Sequence, residues 1–196
     1  MPARNGSSAT ICSSRGGREV VGVFRLFNFV AYQLAWFACV LGAAHDLAWA
    51  GALFAVSVAA LHLALRRDPS ELRLVVSAAA IGFLVDSALV RAQFVEFASA
   101  DWNGWAPVWM VSLWMAFATT LNHSLHWLAS RPWVAALAGA IGGPLAYLAG
   151  AKLGALTLAA PTPALILIAG LWAVAMGLLS LLTGARVRAA SRRVPA

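Results

Sequence analysis

The sequence predicts an all-α fold: a polytopic membrane bundle of six transmembrane helices with both termini in the cytoplasm. Three observations predict it, namely the composition, six apolar stretches of membrane-spanning length, and the positions of the arginines. Of the 196 residues, 62% are hydrophobic and 11% are charged, with a mean hydropathy of +0.80. Soluble domains carry about a quarter charged residues, so this composition excludes a soluble enzyme, a disordered chain and a secreted disulfide scaffold.

The apolar stretches set the expected organisation of the chain. They cover residues 26–44, 47–65, 72–90, 105–128, 133–150 and 163–182. Each is close to the ~20 residues with which an α-helix crosses ~30 Å of hydrocarbon. We therefore expect a flexible basic cytoplasmic arm (1–22), a six-helix membrane domain (23–183) and a basic cytoplasmic tail (184–196). The longest external connection, residues 91–104, is expected to hold a short helix lying on the outer surface.

The basic residues are distributed unevenly over the connections. Most of them lie before the first stretch or after the sixth. Others lie in or next to the connection between the second and third stretches, or between the fourth and fifth. Only Arg91 and Lys152 lie on the opposite side. Lys and Arg are retained on the cytoplasmic side, so this asymmetry predicts that both termini lie in the cytoplasm. A single lysine against thirteen arginines, with abundant alanine, is typical of a GC-rich bacterial genome, so the expected location is the bacterial inner membrane. The asymmetry also explains the net charge of +7 without any nucleic-acid partner.

Polar side chains at membrane depth are the candidate functional residues, because burying them there costs free energy. A rise of ~1.5 Å per residue sorts them into a cytoplasmic and an outer layer. The cytoplasmic layer holds Asn28, Gln33, His62, Asn122, His123 and His126, and the outer layer holds Asp86 and Tyr147.

Asp86 gives the sharpest single signal, because a carboxylate about two-thirds of the way across the third stretch needs a partner inside the bundle. Tyr147 lies at about the same depth, and Arg91 and Lys152 could reach down from the outer edge. A functional interpretation is a proton-handling group or a ligand for a polar head group. The alternative is a buried hydrogen bond or ion pair that holds helices together.

The fourth stretch carries the densest polar patch. Thr119, Asn122, His123 and His126 follow the spacing i, i+3, i+4, i+7, so one helix face would hold them all. With His62 at similar depth, the histidines are weak candidates for a metal site or a bis-histidine haem. The acids nearest this layer, Asp68 and Glu71, are placed in the adjoining loop. An interhelical hydrogen-bond network is the main alternative, and no metal or cofactor is expected.

The fifth stretch contains glycines spaced for close helix packing. Gly139 and Gly143 form a small-xxx-small pair, and Pro144 should kink the helix. Tight packing against a neighbouring helix is one interpretation. The other is a break that lines a polar cavity near Tyr147, as in some transporters.

Several strings together resemble the DUF2878 family of bacterial inner-membrane proteins. They are residues 28–33 (NFVAYQ) with Trp36, residues 82–86 (GFLVD), residues 122–127 (NHSLHW), and residues 142–144 (GGP) with Tyr147. The resemblance extends over about residues 27–183. It implies a small polytopic membrane protein, suggests a lipid-related role, and assigns no residue a catalytic function.

Two functions remain open from the sequence. The first is a non-enzymatic bundle that binds or moves a small amphiphile, or scaffolds a membrane complex. The second is an intramembrane lipid-modifying enzyme, or a metal or haem protein, that uses the layer of Asn122, His123 and His126. Motifs of soluble hydrolases, nucleotide-binding proteins and zinc proteases are absent from the sequence, so an enzyme is the less favoured of the two. The expected partners are membrane lipids, a second copy of the chain, or other membrane proteins.

Overall fold

The computed structural model describes the backbone of residues 9–99, 104–128 and 131–191, and side chains within residues 22–99, 104–128 and 131–183. Its helices are α1 (Ala9–Ala44), α2 (Ala48–Arg66), α3 (Pro69–Arg91), α4 (Val108–Leu121), α5 (Pro132–Lys152) and α6 (Pro161–Ser191). Two short strands, β1 (Val95–Phe97) and β2 (Leu156–Leu158), and a 3₁₀ turn (His126–Leu128) complete these described segments.

Five helical segments of the described chain are long and apolar enough to cross a membrane. They are Gly22–Ala44, Ala48–Arg66, Pro69–Arg91, Pro132–Lys152 and Pro161–Thr183. Large apolar side chains on them point outwards: Leu65 is 63% exposed, Leu145 60% and Ile166 68%. A bilayer would cover such a surface, whereas water would not stabilise it. The prediction of a helical membrane bundle is confirmed at this level.

The fourth predicted helix is wrong in length. Instead of residues 105–128, α4 covers Val108–Leu121, and 14 residues span only ~21 Å at ~1.5 Å per residue. The helix ends because the chain turns after Leu121, where the Leu125 amide donates to the Thr120 carbonyl at 2.8 Å. The polar residues that follow this turn contact α1 and α3 instead of continuing the helix.

Helix α4 forms the centre of the bundle. Most of its residues are buried, and it packs against α1, α2 and α3. Helices α5 and α6 pair with each other, and α6 also contacts α3. Because its neighbours surround α4, this short helix is shielded along nearly all of its length.

The two ends of the bundle differ. At one end, the Ser180 hydroxyl on α6 donates to the Leu128 carbonyl between α4 and α5 at 2.9 Å. At the other end, β1 and β2 pair antiparallel, with Val95 opposite Leu158 and Phe97 opposite Leu156. The predicted surface helix within residues 91–104 is therefore wrong at residues 95–97. Buried Val95 and Phe97 alternate with exposed Glu96, which is the two-residue period of a strand.

Helices α1 and α6 extend beyond the predicted membrane domain. Helix α1 begins at Ala9 and α6 ends at Ser191, so each continues into a segment predicted as an arm or a tail. Residues 1–8 and 192–196 of those segments lie outside the described residues. The division into arm, membrane domain and tail stays a prediction.

Candidate functional site

Glu71 lies at the centre of a polar cluster near the start of α3. The Asp68 side chain caps this helix by accepting a hydrogen bond from the Ser70 amide at 2.9 Å, and Pro69 occupies the first helical position. Both features favour a helix start here, because a capped first turn satisfies amides that lack intrahelical partners. Glu71 thus belongs to the first turn of α3, and its side chain is only 4% exposed.

Two histidines face this carboxylate. The Nε2 atom of His62, near the end of α2, lies 3.5 Å from one Glu71 oxygen, and that of His123 lies 3.4 Å from the other. The two imidazole side chains are 5% and 10% exposed. Their ring centroids are 4.9 Å apart, so the His62, Glu71 and His123 side chains form one buried group, which we call the His–Glu cluster.

Neighbouring side chains hold and cover the His–Glu cluster. The Asn122 amide donates to Glu71 Oε1 at 3.2 Å, which orients the carboxylate. The Phe24 ring of α1 packs edge-on against His123 at 5.3 Å, and the Arg66 guanidinium lies 5.4 Å from the centre of the Phe24 ring. The cluster therefore combines groups from α2, α3 and the turn after α4, and α1 covers it.

A hydrogen-bond bridge beside the cluster fixes α1 to the end of α4. The Asn28 amide donates to both the backbone oxygen and the hydroxyl of Thr119 at 3.3 Å. The Ser124 hydroxyl lies 2.6 Å from Asn28 Oδ1 and 3.1 Å from the Arg25 carbonyl, and either oxygen can accept its proton. This bridge explains why a buried asparagine is tolerated on an apolar helix.

An apolar groove between α1 and α2 leads to the cluster. It encloses about 320 Å³, and apolar side chains such as Phe27, Leu34 and Leu61 form most of its lining. Asn28 and His62 contribute polar groups to the same lining. Phe27 is 60% exposed and Leu61 54%, so the groove opens sideways, towards the surface that a bilayer would cover.

The second buried acid, Asp86, has different surroundings. It is fully buried on α3, where the Trp114 indole of α4 donates to Oδ2 at 2.9 Å and the Tyr147 hydroxyl of α5 donates to Oδ1. The adjacent cavity, lined mainly by aromatic side chains, is about 40 Å³, which is room for very few waters. We call this group the Asp86 cluster.

Glycines allow the helices around the Asp86 cluster to approach closely. A Cβ on Gly82 would overlap the Trp114 ring, and one on Gly143 would overlap Trp172, which stacks on Trp114 at 4.5 Å. Gly142, one residue away, has open space around its Cβ position. The predicted tight packing at Gly143 thus has a specific cause, an indole ring seated against the backbone.

The structure brings most of the predicted site residues into two clusters, but the members of these clusters differ from those of the two predicted layers. His62, Asn122 and His123 meet around Glu71, and Asp86 meets Tyr147. Asn28 lies beside the His–Glu cluster, where it bonds to Thr119 and Ser124. Other candidates belong to neither cluster: Gln33 is half-buried on α1, and His126 is exposed in the 3₁₀ turn. The predicted shared face of Asn122, His123 and His126 is wrong because α4 ends before all three.

Other sequence-based placements also change. Arg91 lies over the Trp105 ring at 5.0 Å, and Lys152 is exposed, so neither approaches Asp86 in the way the sequence suggested. The two cluster imidazoles pack against each other with Glu71 beside them. That contact leaves no space for a porphyrin between His62 and His123.

Glu71 is the residue that sequence reasoning missed, because it was assigned to a loop. A signal for it was present in residues 68–71 (DPSE): an acid at the cap, proline next, and glutamate at the third helical position. This pattern is typical of a helix start. Starting α3 at Pro69 instead of residue 72 would have put Glu71 at the depth of the histidines.

The fold and the two clusters define a class: a small multi-pass helical membrane protein with isolated buried polar groups. More particularly, the chain belongs to the family described as protein of unknown function (DUF2878), whose model matches residues 25–178. That match includes both clusters and confirms the resemblance noted in the sequence. No curated protein and no solved structure matches the chain.

Proposed function

We propose that this chain binds a small anionic amphiphile with a single apolar chain, held in the groove between α1 and α2. The apolar tail occupies the sideways-opening part of the groove, and the head group lies at the end that carries Asn28 and His62. One observation carries the proposal: an apolar groove of about 320 Å³ that ends at buried polar side chains. Ligand sites of this kind combine apolar walls with a few polar groups.

The charges near the polar end favour an anion. Arg66 lies beside Phe24, which itself contacts the cluster, and Arg67 follows it on the exposed turn after α2. A guanidinium group binds carboxylate or phosphate oxygens with paired hydrogen bonds. An anionic head group at this end would meet these cations, whereas a cationic one would be repelled.

The membrane arrangement that accompanies this proposal has six crossings, with α4 as a short central one and both termini in the cytoplasm. The arginine asymmetry supports this orientation, and the groove's polar end then lies near the cytoplasmic surface of a bacterial inner membrane. A reporter fused after Ala196 should be active only in the cytoplasm. Periplasmic activity of the reporter would contradict the arrangement.

Amphiphile binding can be tested by filling the groove. Ser57 lines the groove and bonds only to its own helix, at the Leu53 carbonyl, so Ser57→Phe should block the tail without disturbing packing. Ala60→Phe, on the same helix and exposed, is the matched control. The purified proteins are photolabelled with a photoreactive long-chain fatty acid. Ser57→Phe should need about tenfold more probe than wild type for the same labelling, which corresponds to a loss of ~1.4 kcal/mol in binding free energy. Equal labelling of both variants and wild type would refute the proposal.

A lipid-modifying enzyme is the second candidate, favoured by the position of His62 in both the groove and the His–Glu cluster. A bound amphiphile would put its head group close to two imidazoles and a carboxylate, which are common acid–base groups. Chemical change of a bound lipid, lost in His123→Ala while binding is retained, would favour the enzyme over the binding protein.

A further inference from the structure

We propose that His62, Glu71 and His123 bind a divalent transition-metal ion. Two imidazoles and one carboxylate form the ligand set that proteins use for zinc and for non-haem iron(II). The three side chains come from α2, α3 and the turn after α4, so the folded bundle assembles them. This inference goes beyond amphiphile binding and does not depend on what occupies the groove.

The distances favour a metal over direct hydrogen bonds. Ligand bonds of ~2.0–2.2 Å in tetrahedral geometry put neighbouring ligand atoms ~3.4 Å apart. His62 Nε2 lies 3.5 Å from one Glu71 oxygen and His123 Nε2 lies 3.4 Å from the other. One ligand atom from each of the three residues lies within 4.8 Å of the other two. Hydrogen bonds between such groups would bring the atoms to ~2.8 Å. Each imidazole nitrogen thus lies about as far from the Glu71 carboxylate as two ligands of one metal ion lie from each other.

The unmet bonding capacity of the histidines supports the same conclusion. The Nε2 atoms of His62 and His123 are buried, and neither has a hydrogen-bond partner among the described residues. If both imidazoles present lone pairs at Nε2, these repel each other and the carboxylate unless a cation lies between them. A metal ion satisfies both nitrogens and the carboxylate together.

The surroundings resemble the support that metal ligands receive elsewhere. Asn122 donates to the Glu71 carboxylate at 3.2 Å, which fixes the orientation of a ligating group. Phe24 packs against both imidazoles, with ring centroids 6.4 Å from His62 and 5.3 Å from His123. Such a shell limits solvent access and holds the rings in place.

The test measures metal content after purification in the presence of Zn²⁺ and extensive dialysis. Wild type should retain about one Zn²⁺ per chain, and His123→Ala and Glu71→Gln should lose most of it. The matched controls are His126→Ala and His45→Ala, because both histidines are exposed and lie outside the cluster. These controls should retain the wild-type amount.

Loss of metal through misfolding is distinguished by a second, conservative variant. His123→Cys keeps a metal ligand, and its Co²⁺-loaded form should show a thiolate-to-metal absorption band that wild type lacks. Wild-type protein without bound zinc, or equal zinc in wild type, His123→Ala and His126→Ala, would overturn the proposal. Absence of the thiolate band from a folded His123→Cys variant would overturn it as well.

Discussion

Helix α3 carries two buried acids, and their surroundings differ. Asp86 accepts hydrogen bonds from Tyr147 and Trp114, so each of its oxygens has a neutral donor. Glu71, about 22 Å away along the helix, faces two imidazoles at distances longer than hydrogen bonds, beside a groove of about 320 Å³. One acid closes a packed core, and the other lies beside His62, which lines a space that a ligand can enter.

This difference shows that burial alone does not identify a functional acid. A membrane interior makes any carboxylate costly, yet the cost is met around Asp86 by donors that also join three helices. The histidines near Glu71 lack comparable partners within the described residues. We therefore propose that the Asp86 cluster stabilises the bundle and that the His–Glu cluster is the functional site.

The largest effect on stability is expected from Asp86→Ala. This change leaves the Tyr147 hydroxyl and the Trp114 indole buried without an acceptor, which costs about 2–5 kcal/mol, or ~5–15 °C in Tm. Asp86→Asn should cost less, because its oxygen can accept from Trp114 and its amide can donate to Tyr147. Thermal unfolding in detergent measures both, with the exposed Glu96→Ala as the control. If Asp86→Ala unfolds at the same temperature as Glu96→Ala, the assigned structural role is wrong.

A smaller loss of stability is expected from substitutions at the glycines where helices meet near the Asp86 cluster. Gly143→Ala forces the Trp172 ring away from α5 and should cost about 1–3 kcal/mol. Gly142→Ala meets open space, and alanine favours a helix, so stability should stay the same or rise by up to ~1 kcal/mol. Equal melting temperatures for the two variants would show that the indole is not tightly seated.

Ser124→Ala removes the hydroxyl that bridges Asn28 and Arg25. The free energy of unfolding should fall by about 1 kcal/mol. The Tm should fall by ~2–4 °C, because one hydrogen-bonded contact between α1 and the end of α4 is lost. The exposed Ser57, which bonds within its own helix, supplies the control Ser57→Ala. A fall as large as that of Asp86→Ala would remove the distinction between the Asp86 cluster and the region around the His–Glu cluster.

The smallest effect on stability is expected from Asp68→Asn, because asparagine is as good an N-cap residue as aspartate. Asp68→Ala removes the cap of α3 and should cost ~1 kcal/mol. It should also weaken metal retention, because the first turn positions Glu71. Unchanged retention in a destabilised Asp68→Ala protein would mean that Glu71 is positioned by its other contacts.

The sequence predicted much of the fold because apolar length and arginine placement are local signals. The structure confirms five of the helical segments as long and apolar enough to cross a membrane, although their bounds differ by a few residues. Asp86 and Tyr147, which were predicted at about the same depth, are joined by a hydrogen bond. The predicted length of α4 was wrong because the polar residues at 122–126 were interpreted as one face of a continuing helix, whereas the helix ends at Leu121.

The candidate site was harder to predict because it depends on contacts between distant segments. His62 and His123 were predicted at similar depth and their rings are in contact, but their shared partner Glu71 was assigned to a loop. His126 was included only because a continuous α4 was assumed. The pairing of β1 with β2 joins connections that are far apart in sequence, and a three-residue strand has too short a pattern to be recognised.

The most direct test of this account measures the Tm of metal-free wild type, Glu71→Gln and Asp86→Asn with and without Zn²⁺. At a zinc concentration ~100-fold above Kd, binding to the folded state adds ~2.7 kcal/mol, so we expect Tm to rise by ~5–10 °C in wild type. The same rise is expected in Asp86→Asn, from a lower starting value, and none in Glu71→Gln. A zinc-dependent rise that is lost in Asp86→Asn but kept in Glu71→Gln would contradict the assignment of function to the His–Glu cluster.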